Sequence, residues 1–257
     1  MKKARFEWND YDYCLVHLLE EHEEYLNFFR ESIRTDRHVI LDNSIFELGT
    51  AFDPDKFVKW VKELKPTEYI VPDVLEDYER TVESFTKWDN KYEPLPGKTI
   101  GVVQGKTYDE LVKCYRYMDQ HADKIAISFD YSFYLTIGLG VNKWQQFSDG
   151  RQRFIQSLVN DQIWNPNKPH HLLGAAVPQE FKKYVPFWDK LNIETLDTSN
   201  PIQQGLLGSA YSKDGLHGKN RLKVADLFDT TYPDDAVTRA ADNVKLFREF
   251  CGIQEGN

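Results

Sequence analysis

The chain has 257 residues, of which 41% are hydrophobic, 28% charged and 14% aromatic. That balance fits a domain with a buried core and argues against a disordered chain, and no apolar run approaches the roughly 20 residues of a bilayer span. The formal net charge is −9, so any contact with nucleic acid has to come from a local basic surface and not from the field of the whole protein.

The N-terminus, MKKARFEWNDYDY, has no apolar stretch behind its lysines. No signal peptide is expected, and the cytoplasm (the host's, for a viral protein) is the default compartment. Cys14 to Leu19 reads as a first strand and EHEEYLNFFRESIR as the helix after it. His38 to Asn43 is a second strand, followed by the helix PDKFVKWVKELK with Pro54 in its first turn. Glu68 to Val74 is a third, with a helix around Tyr78 to Trp88. Lys98 to Gly105 is a fourth, leading to a helix that Thr107 and Glu110 can open with a capping box. Lys124 to Asp130, His170 to Ala176 and Ile193 to Ser199 supply three more strands, and Asp235 to Cys251 is helical. Cys14, Cys114 and Cys251 lie far apart without a CxxC pair and read as reduced, buried thiols.

Alternating strands and helices point to a parallel sheet. The expected architecture is a closed (β/α)8 barrel, taken as one domain over residues 1–257, with the eighth strand around Leu222 to Leu227. A doubly wound open sheet is the runner-up, although no glycine-rich phosphate loop follows the first strand. Asp42, Asp73, Gln104, Asp130 and Asp197 close successive strands, with Gly174 on the sixth. In a barrel those ends share the face that carries the active site. Any one such aspartate is more often a helix N-cap, but four on strand ends are harder to dismiss.

Several segments carry a family likeness. Asp42-Asn43-Ser44-Ile45-Phe46-Glu47 is similar to the DSGGFQ signature of the tRNA-guanine transglycosylases. The segment YIVPDVLE with Asp73 resembles that family's third-strand segment, and Gly101 to Gly105 is close to its GIVQG motif. Leu172-Leu173-Gly174 resembles the LMGVG strand. Asp197 stands where the family's FDCVLPTR segment has its nucleophile, and the matches follow the family's order from about residue 38 to 205.

The resemblance implies exchange of guanine in a polynucleotide for a 7-deazaguanine such as preQ0, with no cofactor and no metal in the reaction. Asp197 would attack the sugar C1′ to give a covalent glycosyl–enzyme, and Asp42 would serve as acid and then base. Asp73 would accept from the amino edge of the base, and Gln104 with the Gly105 backbone would address O6. Phe46 would stack on the base, with Leu173 and Gly174 forming the floor that Gly174 keeps open. Departures are visible. The family's double glycine is partly replaced by Asn43-Ser44-Ile45, and the glycine pair of its fifth strand appears as Ser128-Phe129. Its arginine-bearing PTR segment is Asn200-Pro201-Ile202, and its zinc motif is absent. Those losses favour DNA over tRNA, as in the family's short phage-type members, whose 7-deazaguanines shield DNA from restriction. Lys213, Lys219, Arg221 and Lys223, within eleven residues, are the expected phosphate contacts. No membrane partner is implied.

Two other classes are compatible with the residues. A metal-dependent barrel hydrolase could use strand-end aspartates with His170 or His171, but only His17 lies at the first strand, without a His-x-His pair. Adjacent histidines on a strand point to opposite faces, so at most one of them faces a centre. A catalytically inactive binding barrel is the third class.

Overall fold

Apolar runs set the strands, and short polar caps set where each helix begins. The computed structural model describes residues 8–92, 94–219, 224–227 and 230–253. The chain divides into two compact units, Met1–Ile127 and Ser128–Asn257.

The first unit is built on β1 (Asp12–Leu15), β2 (Val39–Asp42), β3 (Glu68–Ile70), β4 (Lys98–Val102) and β5 (Lys124–Ser128). They pair in chain order, all parallel, through Asp12↔Val39, Ile40↔Glu68, Glu68↔Lys98 and Ile100↔Lys124. Ile40, Leu41, Ile100, Val102 and Ile125 are buried, as strands covered on both faces require. The intervening helices start where the sequence places their caps. Asp53 accepts from the Lys56 amide ahead of Pro54, and Asp77 accepts from the Arg80 amide. Thr107 and Glu110 form the reciprocal capping box.

The first element departs from expectation. The strand ends at Leu15, and Val16–Glu21 is a helix with Val16, His17, Leu18 and Leu19 buried. A short, wholly buried apolar run has no periodicity to separate strand from helix. Here β1 ends where Leu15 reaches Asp42, the last residue of β2, and the Leu15 amide turns to the Tyr25 hydroxyl.

The second unit holds β6 (His170–Leu173) parallel to β7 (Ile193–Leu196), with the helices Lys143–Asn160, Asn200–Leu206 and Asp234–Phe250. The eighth strand expected around Leu222 to Leu227 is corrected for its described part: Val224–Leu227 is a 3-10 helix, and residues 222 and 223 lie outside the described residues. The class is therefore α/β with parallel strands, and barrel closure is not among the observed pairings. Among the described residues, no helix is long and apolar enough to cross a membrane.

One ionic cluster ties the amino ends of the first unit's strands. Lys124 Nζ lies 2.8 Å from Glu68 Oε1, and His38 Nε2 lies 3.2 Å from Glu68 Oε2, with Glu68 and Lys124 both buried. Burial works against the Glu68 carboxylate, but the bonds from His38 and Lys124 and the Lys124 charge outweigh it and hold its pKa at about 2. Because the folded value lies below the ordinary one, this stabilisation is complete above pH 4.5 and is lost as pH falls toward 2. Glu68→Gln, which strands a buried lysine, should cost about 3–5 kcal/mol at neutral pH. Urea unfolding at a series of pH values checks this: the gap to wild type should narrow below pH 4.5, and a pH-independent gap contradicts the assignment.

Candidate active site

In the first unit the polar residues gather at the carboxyl ends of β2, β3 and β4. Asp42 closes β2; its Oδ2 accepts from the Tyr13 hydroxyl at 2.6 Å and its Oδ1 from the Ser44 amide at 2.5 Å. Asn43 Oδ1 repeats the pattern, accepting from the Ile45 amide at 3.0 Å. These two turns drive Ser44 to φ 62°, a left-handed conformation that glycine enters freely and serine does not. Ser44 stands where the resembling DSGGFQ pattern has its first glycine. Phe46, in the short helix Ile45–Leu48, is 43% exposed and is not a core residue.

Asp73 lies just past β3 and is buried. Its Oδ1 accepts from Asn43 Nδ2 at 2.8 Å and its Oδ2 from Gln104 Nε2 at 2.7 Å. Burial raises the Asp73 pKa, opposed by those two amides. Gln104 is engaged at its other end too, since Oε1 accepts from the Glu76 amide at 2.8 Å. Asn43, Asp73 and Gln104 thus form one hydrogen-bonded chain beside Asp42, and the Asp73 carboxylate accepts from its own backbone amide as well. Gly105 serves packing: a Cβ there would stand 2.8 Å from Glu110 Cβ and 2.9 Å from the Leu111 nitrogen.

The second unit holds Asp197 directly after β7. Its Oδ1 accepts from the Gly174 amide at 3.1 Å and lies 3.1 Å from His171 Nε2. Among the described residues, both side-chain bonds of Asp197 fall on that one oxygen, and the side chain is 20% exposed. The register between His170 and His171 is irregular, pairing His170 with Ile193 but His171 with Thr195. This slip sets His171 Nδ1 2.8 Å from the Thr195 hydroxyl. The neighbouring His170 turns the other way, stacks on Trp164 at 3.7 Å, and is pushed down to about pKa 3 by burial.

Gly174 has φ 64°, and a Cβ on it would meet the Phe129 ring at 2.5 Å. The space expected to stay open above Gly174 is therefore filled by Phe129. The Leu173 and Gly174 carbonyls each accept from Arg151 at 3.0 Å, and Arg151 Nε meets Glu180 Oε1 at 2.7 Å in a fully buried ion pair. Lys219 also turns toward this strand end. Its Nζ donates to the Ala175 carbonyl at 2.8 Å and sits 4.2 Å from the Phe129 ring centre and 5.0 Å from that of Trp144. Lys213 is exposed, whereas Arg221 and Lys223 lie outside the described residues.

No protein-family model matches this chain, and no curated protein matches it. The geometry of the two strand-end clusters carries the functional argument. In the sequence His171 is legible only as a possible metal ligand and Phe129 only as a glycine replacement, while Arg151, Tyr13 and Thr195 are not legible, because their partners sit too far along the chain to show as motifs. Both ring nitrogens of His171 are engaged by Thr195 and Asp197. Among the described residues no three His, Cys, Asp or Glu side chains are grouped to hold a metal ion. A surface hollow lined by Tyr211, Asp235, Arg239 and Asp242 contains none of the candidate residues.

Arg151 is the structural support of the second cluster. Arg151→Met leaves Glu180 buried without its cation and should cost about 3–5 kcal/mol. Pairing it with Glu180→Leu should recover most of that loss in thermal or urea unfolding. A single variant as stable as wild type would remove Arg151 from this role.

Proposed function

We propose that this chain is a base-exchange glycosyltransferase that replaces guanine in DNA with a 7-deazaguanine such as preQ0. The observation that carries the proposal is the Asp197 carboxylate, with one oxygen held by two neighbours and a partly exposed side chain. That is the disposition of an oriented nucleophile. The motif order, and a left-handed turn at Ser44 where the resembling pattern has glycine, add support.

In the first displacement, Asp197 Oδ2 forms a bond to C1′ as the C1′–N9 bond breaks, and the electron pair leaves with guanine. Asp42, entering as the acid, gives its proton to the departing base. In the second, carboxylate Asp42 takes the N9 proton of the incoming 7-deazaguanine, N9 attacks C1′, and the C1′–Oδ2 bond breaks. Two displacements at one carbon retain configuration. Asp73 would accept from the amino edge of the base with the lone pair that Asn43, Gln104 and its own amide leave, and Gln104 with the Gly105 backbone would address O6. Phe46 supplies an exposed ring for stacking, and the floor assigned to Leu173 and Gly174 is covered by Phe129, whose ring would have to shift for the base to enter. A (β/α)8 barrel is the closed form in which this set would work. A duplex substrate would have its guanine extruded, at a cost of a few kcal/mol.

Exchange of labelled guanine into DNA, with tRNA in parallel, tests the proposal. Wild type should label DNA; Asp197→Asn should lose about 10⁴-fold or more and Asp42→Asn about 10²–10⁴-fold. Labelling of tRNA alone transfers the activity to tRNA, and labelling of neither by a folded protein favours a binding module. Lys213, Lys219, Arg221 and Lys223 are the proposed phosphate contacts, with Lys219 half-buried in the free protein. Glutamates at Lys213, Arg221 and Lys223 should weaken DNA binding and flatten its salt dependence by about 0.9 log unit for each phosphate no longer neutralised. Unchanged binding would discard that surface.

A further inference from the structure

We infer that His171 is a positioning residue whose main effect falls on the second displacement, the breakdown of the Asp197 glycosyl ester. The inference rests on the proposed exchange reaction.

His171 is buried between two fixed partners, with Thr195 Oγ1 at Nδ1 and Asp197 Oδ1 at Nε2. A threonine hydroxyl can donate to a bare Nδ1, which leaves the ring proton on Nε2, directed at the carboxylate. The Gly174 amide is a second donor to the same oxygen. Donors on Oδ1 fix the carboxylate rotamer and leave Oδ2 as the attacking atom. They also draw charge toward Oδ1, which moderates the nucleophile in the first step. Once C1′ is bonded to Oδ2, Oδ1 is the carbonyl oxygen of the ester. As N9 attacks and the C1′–Oδ2 bond breaks, the electron pair returns to the carboxylate and is shared with Oδ1. Two donors already aimed at that oxygen stabilise the charge as it forms, without reorganisation. A better leaving group is the larger gain, so losing the imidazole should retard ester breakdown more than ester formation.

The test follows the covalent enzyme–DNA species and steady-state exchange with a guanine-containing oligonucleotide, in wild type, His171→Phe, His171→Gln and Thr195→Val. His171→Phe should reduce kcat on the order of 10²-fold, with KM lowered and the covalent species accumulating. His171→Gln, which restores an amide donor, should recover part of the rate, and Thr195→Val should fall between Phe and wild type. Turnover of His171→Phe within twofold of wild type, with no added covalent species, overturns the inference while leaving the exchange reaction standing. No exchange by wild type overturns the exchange reaction itself, and this role with it. The ring proton can be read without any variant, by nitrogen NMR of wild type. A proton on Nε2, facing Asp197, is expected, and a ring protonated only at Nδ1 contradicts it.

Discussion

The hydrogen bond from the Gly174 amide to Asp197 Oδ1 exists because β6 and β7 run in the same direction and end together. Parallel pairing delivers the residues after both strands to one edge, where a backbone donor from one meets a side chain from the next. The left-handed turn at Gly174 aims that amide, and Arg151 fixes the peptide from below through two carbonyls. Together with His171, these parts hold the Asp197 carboxylate in one orientation. An oriented carboxylate is the least the proposed chemistry needs.

The same logic operates at β2, β3 and β4. Each strand contributes one polar group at its end, and Asn43, Asp73 and Gln104 satisfy one another in a buried chain. Burial of a carboxylate without donors would be costly, and the two amides oppose that cost without cancelling it. The consequence of this arrangement is that Asp73 and Gln104 are already bonded before any ligand arrives. Ligand recognition there has to use remaining lone pairs and protons, so it extends an existing network and does not create one.

Much of the fold is legible in the chain. The cores of β2 to β7, the helix Pro54–Leu64 and the Thr107–Glu110 box follow from apolar runs and local caps. The end of the first strand is not legible, because a buried helix and a buried strand share the same apolar signature. The candidate site is legible only as strand-end polar residues. His171 meets Asp197 across 26 residues and Arg151 meets Glu180 across 29, separations that carry no local pattern. Neither the filling of the space at Gly174 by Phe129 nor the inward turn of Lys219 has a sequence signature, because both are decided by packing. The register slip that brings His171 to Thr195 is likewise a property of the strand pair.

The most direct measurement is peptide mapping by mass spectrometry after acid quench of wild-type protein with a guanine-containing oligonucleotide. The account predicts a nucleic-acid adduct on the peptide that contains Asp197, at the carboxylate itself. An adduct mapped to another residue, or base exchange that proceeds with no adduct on that peptide, would contradict it.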